Sequence, residues 1–203
     1  MLDDKLIKKP RAEVKYTPEM IRELKACMDP VTGPEYFCNN FVYIRHPTKG
    51  RMRFRLYNHQ KHLIHNYHNY RYSISMVGRQ MGKTQLAAAY LLWYAMFRPD
   101  STILIAAHKY SGAQEIMQYI RYSYESVPDH IRAGATSYNK GSIEFDNGSR
   151  IVAQATTENT GRGMAISCLR TDNSEVTVRD KETGEIRTLT IRELLEINQQ
   201  SGK

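Results

Sequence analysis

The stretch Val77-Gly78-Arg79-Gln80-Met81-Gly82-Lys83-Thr84 holds the residue types that bind phosphate. A short β-rich run, 72–77, leads into it, and an apolar segment, 85–97, follows and reads as a buried helix. Strand, glycine-containing loop, Gly-Lys-Thr and helix together make the layout of a P-loop. In that layout the loop N–H groups and the free helix N-terminus surround an anion. Lys83 would reach the β- and γ-phosphates of a nucleotide, and the Thr84 hydroxyl would ligate Mg²⁺. The pattern Gly-x4-Gly-Lys-Ser/Thr puts its first glycine at position 77, where valine stands; the nearest glycine is Gly78, so the motif is a deviant version.

Such a loop needs a sheet and helices to hold it. Thr17-Pro18-Glu19 reads as a helix start, with Thr17 as N-cap and Pro18 at the first helical position, and the helix runs to Met28. Residues 1–16 read as a loose polar arm. Segments 41–44 and 52–55 look like short strands, and 58–69 like a helix with Leu63, Ile64 and Tyr67 on one face. The apolar run 102–107 is expected of a strand buried on both faces of a parallel sheet. Ser111 and Gln114 can form a capping box for a helix that Pro128 stops. Segments 142–145 and 150–153 predict a hairpin whose Asn147-Gly148 supplies positive φ values. The alternation of strands and helices is that of an α/β protein.

The chain has 203 residues, enough for one domain and an appendage, and 41% hydrophobic content permits a core. A net charge of +8 favours a polyanionic partner such as nucleic acid. Cys27, Cys38 and Cys168 are odd in number and lack metal-ligand spacing, which predicts a reduced, intracellular setting. No segment is long and apolar enough for a membrane span, and the charged N-terminus does not read as a signal peptide. Five of the seven histidines lie between His46 and His68. His62 and His65 share a helix face, but no cysteine or carboxylate stands nearby to complete a zinc site, so they read as an exposed polar face.

Four pieces of the sequence resemble the ATPase half of the large terminase subunit of tailed bacteriophages, of the myovirus type. They are Tyr57-x-x-Gln60, the loop Gly78 to Thr84, the strand end Ile105-Ala106-Ala107-His108-Lys109, and the block 139–149 followed by Arg162-Gly163. The resemblance implies an incomplete P-loop NTPase of the ASCE type, with a parallel sheet and helices on both faces. It implies ATP and Mg²⁺ as ligands, bound by Gln60 at the adenine edge and by Gly78, Arg79, Gln80, Met81, Gly82, Lys83 and Thr84 around the phosphates. Lys83 and Arg79 would act in the chain's own site, and Arg162 on the ATP of a neighbouring subunit. A cation fixed there stabilises charge on the transferring phosphoryl oxygens. The implied setting is the infected host's cytoplasm. The implied partners are double-stranded DNA, the terminase small subunit, the portal of the prohead, and further copies in a ring.

The resemblance also predicts where the pattern breaks. In the family a strand after the Arg-Gly ends in Asp-Glu; here 164–167 begin it, and Cys168-Leu169-Arg170-Thr171-Asp172 follows without that pair. The nuclease half is absent from this sequence. Residues 175–178 and 185–189 alternate like strands, and Thr190-x-x-Glu193 would cap a short helix. A Cys-Leu-x-x-Asp start followed by a hairpin resembles the N-terminal block of an intein, in which Cys168 would be the splicing nucleophile. The rest of the intein would be on another polypeptide, a split arrangement, or lost; the alternative is a divergent or frameshifted tail. The expected organisation is thus an N-terminal arm and helix over 1–34, a partial terminase ATPase domain over 35–167, and an intein fragment over 168–203. The competing readings are another P-loop nucleic-acid motor, such as a helicase, and a truncated, non-catalytic DNA-binding fragment.

Overall fold

The computed structural model describes residues 6–46, 48–70, 73, 75, 77–78, 80–156, 164–172, 175–179 and 186–190. Its helices are α1 (Pro18–Met28), α2 (Gly33–Phe41), α3 (Asn58–Asn69), α4 (Lys83–Phe97) and α5 (Tyr110–Ser126). Its strands are β1 (Tyr43–His46), β2 (Gly50–Arg53), β3 (Thr102–Ala107), β4 (Ala135–Tyr138), β5 (Ser142–Phe145), β6 (Arg150–Ala155), β7 (Cys168–Asp172), β8 (Glu175–Arg179) and β9 (Ile186–Thr190). The main sheet runs β4-β5-β6-β3-β7. β3 is parallel to both β6 and β7, while β4, β5 and β6 pair antiparallel. The sheet is therefore mixed, where the sequence predicts a parallel one. The tight 146–149 turn returns the chain beside the strand it left, which makes β5 and β6 antiparallel.

The core lies between this sheet and the helices. Ile103, Ile105 and Ala107 of β3 join Ile143, Phe145, Ile151 and Ala153 in one apolar cluster, and all five helices contribute to it. The expected arrangement put helices on both faces; among the described residues the helices share this one cluster. Leu104 and Ala106, which alternate to the other face, are also buried. α4 is apolar all round and buried from Leu86 to Trp93, as a helix enclosed by others must be. Trp93 lies against the rings of Tyr90, Tyr94, Phe97 and His68 and donates from Nε1 to the Cys27 carbonyl at 2.8 Å. Burial, with Glu23 nearby, pushes the Cys27 thiol up to about 12, and burial raises Cys38 further. Both are neutral packing groups at ordinary pH.

Locally coded elements fall where the sequence puts them. Thr17 Oγ1 accepts from the Met20 N–H at 3.3 Å and opens α1; α3 and β3 have the expected bounds. Elsewhere the structure corrects the expectations. The arm is not loose where it is described: Lys8 O accepts from Ala135 N, Arg11 N donates to Asp146 Oδ2, and Arg132 Nη1 donates to Leu6 O at 2.7 Å. Phe41 and Val42 are not strand: Phe41 ends α2, which starts at Gly33-Pro34. β1 and β2 accordingly sit two residues away from the expected strands. α5 starts at Tyr110, ahead of Ser111, with no side-chain cap. β4 has no clear period in the sequence and forms because β5 offers it an edge. In the 146–149 turn only Gly148 has positive φ, at 82°. Asn147 instead turns its amide to the carbonyls of Ala95 and Met96, capping the C-terminal end of α4.

The tail differs too. The strand expected to begin at 164–167 begins at Cys168 and joins the main sheet, with Ile103 opposite Cys168 and Ala107 opposite Asp172. Beyond it, β8 and β9 pair antiparallel in a sheet of their own, near the two strands read from the sequence. The helix expected after Thr190 lies outside the described residues.

Candidate nucleotide site

The site is built on the N-terminus of α4. Gly82 is its N-cap, at φ 72° and ψ 16°, and Leu86 N donates to Gly82 O at 3.0 Å to close the first turn. Gln80 is also left-handed, at φ 62°. Two left-handed residues within three bend the loop at the helix end, and left-handed residues of this kind occur in anion-binding nests. The N–H groups of the first turn have no intrahelical acceptor, and that turn contains no acidic residue to fill the place of an anion. Gln85 Nε2, in the same turn, is buried without a hydrogen-bond partner. Lys83 bends back over the loop and donates to the Val77 carbonyl at 3.4 Å. Lys83 and Thr84 are both half-buried. A helix end with free donors, a lysine that can exchange a carbonyl for a phosphate oxygen, and an adjacent hydroxyl fit a Mg²⁺–nucleotide.

The loop is held from the side by α3, a contact invisible to sequence reading. Gln60 is 2% exposed. Its Oε1 accepts from Tyr57 N at 3.0 Å, and its Nε2 donates to Met81 O at 3.3 Å; His59 Nε2 stands 3.3 Å from the same oxygen. A Cβ on Gly82 would come 2.7 Å from Gln60 Nε2 and displace that amide, and the positive φ itself favours glycine there. Gln60 ties the start of α3 to the loop. Tyr57, 68% exposed and stacked on the His59 ring, is the open aromatic surface beside it.

Other expected site residues are placed less directly. Residues 73, 75 and 77, the described part of the strand expected ahead of the loop, are not in strand conformation. β6 and β7 occupy both edges of β3, so β3 offers that run no partner. Arg79 and Arg162 lie outside the described residues. Asp172, which sequence reading set aside with the tail, ends β7 beside the end of β3, on the edge where ligands of open α/β sheets collect. It is followed by Asn173, so no Asp-Glu pair forms there.

Comparison with known proteins bears on this geometry. Residues 74–174 match the family of terminase large subunits, T4likevirus-type, N-terminal. The match includes the loop, α4, the main sheet and β7, and it crosses the expected boundary at 167/168. The fold resembles that in the crystal structure of the HK97 bacteriophage large terminase, with a TM-score of 0.57 at 16% identity. The similarity covers 84% of this chain and 35% of that terminase. The terminase likeness thus concerns the N-terminal part of such a subunit. Among the described residues, no helix is long and apolar enough to cross a membrane.

Proposed function

We propose that this chain carries the nucleotide-binding portion of a phage DNA-packaging terminase large subunit, with ATP and Mg²⁺ as its ligands. The observation that carries the reading is the loop 77–84 wrapped on the α4 N-terminus by left-handed Gly82, inside the stretch matched to terminases. The loop N–H groups and Lys83 hold the phosphates, and Thr84 offers its hydroxyl to the metal. Bound Mg²⁺ neutralises charge on the phosphate oxygens. Arg79 acts within the same site, and Arg162 on the neighbouring subunit's nucleotide in a ring. Double-stranded DNA, the small subunit and the portal of the prohead are the partners of the completed protein, in the host cytoplasm. The family match favours this reading over a helicase.

Asp172 ends β7, and the sequence continues with Asn173 instead of the glutamate that would polarise water beside a metal-holding aspartate. The chain is therefore expected to bind Mg–ATP but to turn it over far below the roughly 1 s⁻¹ lower end of ordinary enzyme rates. Titration with a fluorescent ATP analogue, alongside phosphate release, checks both parts. Absence of saturable binding displaced by ATP would overturn the site. Fast hydrolysis that disappears in Lys83→Ala would overturn its incompleteness.

For the tail we propose the N-terminal fragment of a split intein, with Cys168 as nucleophile. What supports it is the Cys-Leu-x-x-Asp start and the β8–β9 hairpin, which stands outside the main sheet; the pairing of β7 with β3 weighs against it. The Cys168 thiolate would attack the Ser167 carbonyl carbon, forming a thioester as the C–N bond breaks and the Cys168 amine takes up a proton. Mixed with a complementary C-terminal piece, the chain is expected to lose residues 168–203 and be ligated after Ser167, and Cys168→Ala to block this. Intact-mass spectrometry decides: ligation by Cys168→Ala, or none by the parent, rejects the fragment.

A further inference from the structure

The positive charge of this chain has an address. Ten of its 29 lysines and arginines, and none of its 21 acids, lie between Glu35 and Asp100, so the remainder is net acidic. Five of the ten, Arg45, Lys49, Arg51, Arg53 and Arg55, fall in or beside the β1–β2 hairpin, and all five are exposed. Strand alternation sorts the hairpin. Ile44 and Met52 pair on one face, with Ile44 packed on the core; Tyr43 opposite Arg53 and Arg45 opposite Arg51 make the other. Like charges directly opposite on one face destabilise a two-stranded ladder. Among the described residues no carboxylate forms an ion pair with any of the five. The guanidinium groups lie instead on tyrosine rings: Arg51 and Arg53 at 4.3 and 5.8 Å from the Tyr43 centroid, and Arg45 at 5.0 Å from that of Tyr122 on α5. Stacking fixes the guanidinium planes.

We propose that this arginine face of the β1–β2 hairpin, continued onto α5 at Tyr122, docks the phosphate backbone of double-stranded DNA. Charge complementarity selects a polyanion, and planar, pre-oriented guanidinium groups suit bidentate phosphate contacts. A duplex is favoured over a single strand because the Tyr43 and Tyr122 faces, where bases would stack, are already covered by arginine. An arginine-rich face whose contacts go to phosphates makes binding sequence-independent and steeply salt-dependent. The choice of DNA rests on the packaging reading above; the surface itself is separate from the loop that holds nucleotide.

The test is fluorescence anisotropy of the full chain with a random-sequence 20-bp duplex across a salt series. A triple variant, Arg45→Gln, Arg51→Gln and Arg53→Gln, is compared with a control, Lys15→Gln, Arg22→Gln and Lys25→Gln, on exposed positions in and before α1. The arginine variant is expected to lose about tenfold or more in affinity, and its log-log salt slope to fall by about 0.9 for each phosphate contact removed. The control should keep the parent slope. Thermal melting of the arginine variant at or above the parent value shows that the fold survives. Parent-like duplex binding by the arginine variant overturns the surface. So does tighter binding of a 20-nucleotide single strand, or equal competition by polyglutamate at matched charge, which would assign the face to an acidic protein. If the parent binds no duplex, the surface fails while the ATP-analogue titration still decides the nucleotide site independently.

Discussion

Lys83→Ala is expected to weaken Mg–ATP binding by about ten- to a hundredfold while leaving the fold intact. Hydrogen bonds to charged groups contribute about 1.5–3 kcal/mol, and each 1.4 kcal/mol is tenfold in affinity. Among the described residues the Lys83 ammonium donates to the Val77 carbonyl, at the long distance of 3.4 Å. Little native-state stability is lost with it, because the side chain lies half-buried on the loop rather than in the core. The effect therefore falls on the ligand-bound state alone. Titration with a fluorescent ATP analogue, and protection of residues 77–82 from proteolysis by Mg–ATP, read it directly. A variant that binds like the parent would remove Lys83 from the site and leave the loop as a turn capping α4.

Trp93→Ala should cost about 3–5 kcal/mol of stability, the range for emptying a buried aromatic site. Trp93 is 1% exposed, surrounded by four rings, and its Nε1 is the donor to the Cys27 carbonyl. Alanine leaves a cavity between α1 and α4 and a buried carbonyl without that partner. Set against the roughly 5–15 kcal/mol that stabilises a typical domain, this is a large share. The melting temperature should fall by about 6–20 °C, at about 2–4 °C per kcal/mol for a chain of this size. Trp93 is the one tryptophan of the sequence, so unfolding in urea must be followed by far-ultraviolet circular dichroism rather than fluorescence. Trp93→Phe, which keeps most of the volume but not the donor, should fall between. An alanine variant within 1 kcal/mol of the parent would mean that α1 and α2 do not pack on α4 as described.

Where a structural signal is complete within a few residues, the sequence alone determined the outcome. Thr17, Pro18 and Glu19 open α1 because cap, fixed φ and charge act on donors within one turn. The apolar run of β3 is buried as its composition requires, and Gly148 supplies the one left-handed angle its turn needs. The start of α4 at Gly82-Lys83 is legible for the same reason: the glycine and the apolar segment that follows are consecutive. Tertiary structure alone decided what depends on distant partners. Gln60 reaches Met81 across 21 positions, Asn147 caps Ala95 across 52, and the arm is held by Arg132 and Asp146 more than a hundred positions away. The same holds for the sheet. β6 took one edge of β3 and β7 the other, because parallel pairing depends on which segment reaches an exposed ladder of N–H and C=O groups. Side-chain period sets only which face of a strand is buried, so the neighbours of β3 could not be read from 102–107.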